Sequence, residues 1–213
     1  MRNLNDTLNE ITKAFKQLNE YLFGNALPEP VLVIQSRKAG ARNAMGWFTL
    51  GKNWTDRETG KSYHEITVCS ETLNKPMVTV LEVLVHEMVH LENKIKGIVD
   101  CSAGQYHNKK FKEAAERALL ICKASRKYGY GLTEPSERLL KLFDVLSIDE
   151  SAFNLASTDN SVEERKKYIM FTYVCDGCGI KFKTKANLAP NTQCGNCGGL
   201  INKYKIEEGE TDE

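Results

Sequence analysis

The sequence predicts an α+β fold in two parts, a larger domain over residues 1–146 and a small cysteine-rich module over 167–206. Three observations predict it. Four segments read as helices, and three short runs rich in β-branched or aromatic residues lie between the first two of them. Two Cys-x-x-Cys pairs follow near the C-terminal end.

From Asn5 to Phe23 the apolar residues Leu8, Ile11, Phe15, Leu18 and Leu22 recur at spacings of three and four, one face of a helix that Gly24-Asn25 ends. Val31 to Gln35, Gly46 to Leu50 and Glu65 to Cys69 are expected to form a small antiparallel sheet. Between the last two, Gly51 to Tyr63 carries Trp54 among polar residues and reads as a mobile loop. Pro76 suits the first turn of the longest helical pattern, Met77 to Lys96, which is apolar nearly all round and so should cross the core. A further helix is expected from His107 to Lys123, and another opened by Pro135 and ending near Leu146. Residues 147–166 read as a linker and 207–213 as an acidic tail.

Hydrophobic residues make up 41% and charged residues 27%, which fits a globular chain and excludes a disordered or fibrous one. With a net charge of +1, any attraction to nucleic acid must come from local clustering. The N-terminus lacks the pattern of a secretory signal and no apolar stretch reaches the roughly 18 residues of a membrane span. A cytoplasmic protein with no membrane partner is therefore expected. Of seven cysteines, Cys69, Cys101 and Cys122 stand outside the paired motifs and are expected as buried free thiols.

His86-Glu87-Met88-Val89-His90 lies on the long helix. Residues four apart share a helix face with Cβ atoms roughly 6 Å apart, so two imidazoles can grip one metal ion. Glu87, about 100° round the helix, can reach a water on that ion without ligating it. This is the arrangement of a zinc hydrolase, in which the metal activates water and the glutamate serves as general base. Polar groups on so apolar a helix cost kilocalories per mole unless something satisfies them, and a metal would. A third ligand is required. His107, after a glycine-containing turn, is the choice; Glu113, in a Glu-x-x-Glu pair with Glu116, is the rival, and Asp100 a weaker one. His64 reads as a surface histidine. Tyr63 and Tyr106 are candidate donors to the transition state.

Cys175-Asp176-Gly177-Cys178 and Cys194-Gly195-Asn196-Cys197 stand 15 residues apart, the spacing of a structural zinc site with four thiolate ligands. Tyr168 to Val174 and Ile180 to Lys183 read as its strands, giving a zinc ribbon. Between Ser161 and Lys205, eight basic residues face three acidic ones. Phe171, Tyr173, Phe182 and Tyr204 interleave with the lysines, as base-stacking aromatics would, so DNA is an expected partner, single-stranded or duplex.

The order of these features resembles the SprT-like zinc metalloprotease family (Spartan-related), in its compact bacterial and phage-borne type with a C-terminal zinc ribbon. The residues that carry the resemblance are His86-Glu87-x-x-His90, the stretch Tyr106-His107-Asn108-Lys109-Lys110-Phe111, and the four cysteines, behind an N-terminal helix and a small sheet. The resemblance implies a zincin-like domain, His107 as third ligand over Glu113, and proteolysis near DNA. The expectation is then an endopeptidase with one catalytic and one structural Zn²⁺, Glu87 as general base, protein substrates that associate with DNA, and no small-molecule cofactor. The alternatives are a non-proteolytic nucleic-acid-binding or regulatory protein, and a protease specific for one regulator.

Overall fold

The computed structural model of the chain describes residues 3–37, 44–155 and 167–210, with side chains throughout except those of 103, 167–169 and 205–210. The fold is mixed α and β, in two compact units divided after Thr158.

In the first unit, α1 (Leu4–Phe23) starts on a capping box between Asn3 and Asp6 and stops at Gly24, whose φ of 58° suits the left-handed cap. Its face of Ile11, Phe15 and Leu18 is buried. The first sheet comprises β1 (Val31–Gln35), β2 (Gly46–Thr55) and β3 (Ser62–Cys69) in the order β1-β3-β2. The expected all-antiparallel sheet is corrected: β2 and β3 form an antiparallel hairpin, but β1 pairs with β3 in parallel. The pattern of each strand marks it as a strand without naming its neighbour. β3 takes the centre because Ile66, Val68 and Cys69 are buried at its end, as a strand covered on both faces requires. The expected mobile loop from Gly51 to Tyr63 is largely the arms of this hairpin, with Trp54 opposite Tyr63 and its indole N–H donated to Glu65 at 2.7 Å.

α2 (Met77–Ile95) runs through the core, burying Val80, Leu81, Leu84, Val85, Met88, Val89 and Leu91. It ends on Gly97 at φ 70°, with the Ile98 N–H returning to the Asn93 carbonyl. The next helix is shorter than expected. α3 (Lys109–Arg117), capped by Asn108, gives way at Leu119, itself left-handed, to a second sheet. That sheet orders β4 (Cys101–Ser102), β5 (Tyr106–His107), β7 (Gly129–Pro135) and β6 (Leu120–Ser125) as β4-β5-β7-β6. The residues from Leu120 to Lys123, expected as helix, are therefore strand. α4 (Glu137–Val145) follows on its cap Ser136, within two residues of the expected bounds.

The expected linker begins later than its sequence suggested. Residues Glu150–Asn154 form a 3-10 helix whose Ala152 and Phe153 join the core, and the Thr7 hydroxyl donates to the Ala152 carbonyl at 2.6 Å. Residues 156–166 of that expected linker lie outside the described residues. In the second unit β8 (Lys167–Cys175), β9 (Lys181–Thr184) and β10 (Ile201–Glu210) form an antiparallel sheet in the order β10-β8-β9. β10 takes up residues 207–210 of the expected acidic tail; 211–213 lie outside the described residues.

If Phe153 closes the core, truncating it leaves a cavity. Phe153→Ala should lower stability by about 3 kcal/mol, read as a fall in the urea midpoint; an unchanged midpoint would return this stretch to the linker.

Candidate metal centres

α2 places His86 and His90 on one face, their ring centroids 5.1 Å apart. The third histidine comes from β5, held between β4, where Cys101 pairs with His107, and β7, where Gly129 does. Two glycines of β7 make that approach possible. A Cβ on Gly129 would lie 2.0 Å from the His107 carbonyl oxygen, and one on Gly131 would lie 2.4 Å from His107 Nδ1. Beneath the three rings lies Phe111, fully buried, with centroid distances of 4.7, 4.8 and 4.5 Å to His86, His90 and His107.

The hydrogen bonds of the rings decide what their centre can hold. His90 Nδ1 lies 2.8 Å from Asp100 Oδ2, His107 Nδ1 2.9 Å from the Gln105 carbonyl, and His86 Nδ1 3.1 Å from the Thr133 hydroxyl. A carbonyl and a carboxylate only accept, so Nδ1 of His90 and of His107 carries the hydrogen, and in a neutral ring Nε2 is then a bare lone pair. The three Nε2 atoms converge, with His107 3.2 Å from His86 and 3.1 Å from His90. One extra proton could join only one pair of them. A metal ion answers all three at once, and a tetrahedral ion with Zn–N of about 2.0–2.1 Å would space its ligands roughly 3.3 Å apart. The donor set fits a divalent cation of the zinc type.

Charge follows the same geometry. Burial, and then the neighbouring His90, pushes His86 well below its usual range and His107 down to about 4, leaving both neutral. Burial opposes the charged form of His90 as well, but the hydrogen bond it donates to Asp100 and the Glu87 carboxylate outweigh it and raise its pKa. Asp100 also accepts from Asn93 Nδ2 at 2.9 Å. It orients a ring; it is not among the converging donors. Glu87 is buried, and burial pushes it up to about 7 although the Phe48 N–H favours its carboxylate. Glu82, buried one turn before His86, is likewise pushed up to about 7 by burial.

The other residues singled out from the sequence fall elsewhere. Glu113 is exposed on α3 and outside the cluster. His64 is a correction, since it is buried beside Phe48, ring centroids 5.3 Å apart, and not on the surface. Cys69 is buried as expected, while Cys101 and Cys122 are only half-buried. A cavity of about 1410 Å³ opens over the three histidines, walled by residues 44–48 and Leu50 on the β2 side and by 127, 128 and 131–134 on the β7 side, with Glu87 on its lining. Tyr128 lines it; Tyr63 and Tyr106 do not. Phe111, Gly129, Gly131, Thr133 and Glu82 are the site residues that sequence reasoning missed. The Gly-Tyr-Gly of 129–131 was the one available signal.

The second unit gathers Cys175, Cys178, Cys194 and Cys197, all four sulfurs within 4.8 Å of one another. Each pair closes a tight turn, Gly179 N–H to the Cys175 carbonyl at 2.9 Å and Gly198 N–H to that of Cys194 at 2.8 Å, with both glycines at positive φ. Sulfurs 3.4 and 3.8 Å apart are too distant for the roughly 2.05 Å of a disulfide. They are near the roughly 3.8 Å edge of a tetrahedron with Zn–S of about 2.3 Å. The Ile180 N–H and Cys197 hold Cys178 down to about 6, while, against the Gly199 N–H, Cys175 and Cys178 push Cys197 up to about 12, so the sulfurs share protons and a cation suits four thiolates together. Of the aromatics expected to stack on bases, Phe171 and Tyr173 are the small core of this unit, and Tyr204 is 68% exposed.

Two substitutions test the histidine centre. His107→Ala should reduce bound zinc from two ions per chain to one by elemental analysis; retention of both would remove His107 from the ligand set. Gly131→Ala should drive the His107 ring aside and weaken the same ion by about 10–100-fold, the cost typical of losing an outer support, and an unchanged affinity would show that the ring relaxes freely.

No helix among the described residues is long and apolar enough to cross a membrane. A sequence model of the SprT-like family matches residues 11–126, more than half of the chain, while no curated protein and no solved structure matches it. The matched span holds α2 and all three histidines, so the chain belongs to the SprT-like family and carries its metalloprotease-like domain.

Proposed function

We propose that the chain is a zinc-dependent endopeptidase acting on proteins, DNA-associated proteins among them. One observation carries this reading: three imidazole nitrogens, with Nδ1 of each facing an oxygen, converge in a cavity that also receives the Glu87 carboxylate. When bound there, a zinc ion supplies Lewis acidity, lowering the pKa of a coordinated water to about 7 and polarising a carbonyl.

The chain's own residues do the rest. Glu87 accepts a proton from the attacking water on its carboxylate and delivers it to the leaving amine, a role for which it needs to face the cavity without being a ligand. Gly46 lets β2 pass close beside α2 next to it, since a Cβ there would lie 2.7 Å from Val83 Cγ1 and 2.8 Å from the Thr67 carbonyl oxygen. A cavity larger than the roughly 300–1,000 Å³ of small-molecule pockets suits a polypeptide. Among the described residues β2 is an edge of its sheet, and an extended segment can add to such an edge.

DNA association rests on the second unit, where Lys181, Lys183, Lys185 and Lys203 are exposed and Lys181 Nζ stands 5.0 Å from the ring centre of exposed Tyr204. A cation beside an open aromatic face is suited to phosphate and base together.

Glu87→Gln keeps shape and removes the base. Cleavage of a DNA-binding protein should fall by about 10²–10⁴-fold while bound zinc stays unchanged, and undiminished cleavage would sink the mechanism. Neutralising Lys181, Lys183 and Lys203 should flatten the salt dependence of single-stranded DNA binding by about 0.7 per lost phosphate contact. An unchanged slope would point to protein recognition by this unit.

A further inference from the structure

Two of the three Nδ1 groups at the histidine centre face oxygens that can only accept. His86 faces a hydroxyl, which has a proton of its own, and the direction of that proton decides which nitrogen of His86 is free to ligate. If the hydroxyl donates to His86, Nδ1 is the lone pair and Nε2 carries a hydrogen pointing between His90 and His107. That arrangement shuts out a cation. If the hydroxyl donates elsewhere, its lone pair faces Nδ1, which must then carry the hydrogen.

The structure provides the other acceptor. Thr133 Oγ1, 3.1 Å from His86 Nδ1, is also in hydrogen-bond contact with Glu82 Oε1. Glu82 is 6% exposed, and a carboxylate kept that deep costs free energy unless a donor meets it. In its ionised form it can only accept. Thr133 stands on β7 two residues beyond Gly131, so residues of one strand face seat the His107 ring and meet the His86 ring. Both Gly131 and Thr133 lie beyond the span matched by the family.

We propose that Thr133 and Glu82 are positioning residues of the metal centre: Glu82 accepts a hydrogen bond from the Thr133 hydroxyl, and Thr133, its lone pair thereby turned to Nδ1, holds His86 in the tautomer whose Nε2 lone pair faces the ion. The proposal rests on the reading of the three histidines as a metal centre. It extends that centre to a carboxylate two hydrogen bonds away and to a strand that supplies no ligand.

The test uses the full chain labelled with ¹⁵N-histidine. Zinc affinity at the histidine centre is measured by chelator competition, with the four-cysteine site as internal reference. The His86 tautomer is read from long-range ¹H–¹⁵N spectra with that centre emptied. Thr133→Val should weaken zinc binding by about 10–100-fold and abolish the preference of His86 for Nδ1–H, and Thr133→Ser should restore both. Glu82→Met, which keeps the hydroxyl but removes its acceptor, should shift His86 toward Nε2–H. Unchanged affinity and tautomer in Thr133→Val and Glu82→Met would overturn the proposal and leave the metal centre standing. Weakened binding with an unchanged tautomer would overturn it too, reducing Thr133 to packing. A wild-type chain that binds zinc only through its cysteines would overturn the proposal together with the reading beneath it.

Discussion

Three converging imidazole nitrogens, with Nε2 of His107 little more than 3 Å from that of His86 and of His90, are the constraint around which the first unit is arranged. Each ring is held from behind by an oxygen, so none can turn away and a cation is what satisfies them together. α2 must be apolar on its other faces to carry two of the rings through the core, and β5 must be clamped between β4 and β7 to deliver the third. Phe111 packs under all three, and α3 exists at that place to present it. The helix, the second sheet and the aromatic platform are consequences of one requirement.

The second unit meets a similar requirement with different chemistry. Two glycine turns bring four sulfurs together, and Gly199 sits where a Cβ would be 2.9 Å from the Gly177 nitrogen. With little apolar area to bury, so small a sheet would gain stability from a metal that closed its turns. All four positions are sulfur, which leaves no place for a water or a substrate. On the proposed reading, the open centre and the closed one divide chemistry from structure within one chain.

Legibility from sequence followed the range of the interactions. α1 and α2 were readable because capping residues and helical spacing are local, and His86, Glu87 and His90 came with α2. The four cysteines were readable for the same reason. His107 was one of several candidates until the resemblance selected it, because its place depends on pairing with Gly129, 22 positions along the chain. The strand after α3 was hidden: Ala118-Leu119-Leu120-Ile121 continues a helical pattern, and the chain turns at a leucine in a left-handed conformation, where no glycine or proline gives warning. The burial of His64 and the contact between Thr133 and Glu82 are tertiary facts, with 51 residues separating the latter pair. A parallel β1 could not be seen either, since strand pattern says nothing of partner.

The account's central claim is that His86, His90 and His107 bind one metal ion through Nε2, with Nδ1 committed to the protein. Diffraction from crystals of the zinc-loaded chain at the zinc absorption edge tests it most directly. The account predicts an anomalous peak about 2.0–2.1 Å from all three Nε2 atoms, with Glu87 outside the ligand set. A peak at the four cysteines alone, or an ion bound through any Nδ1, would contradict it.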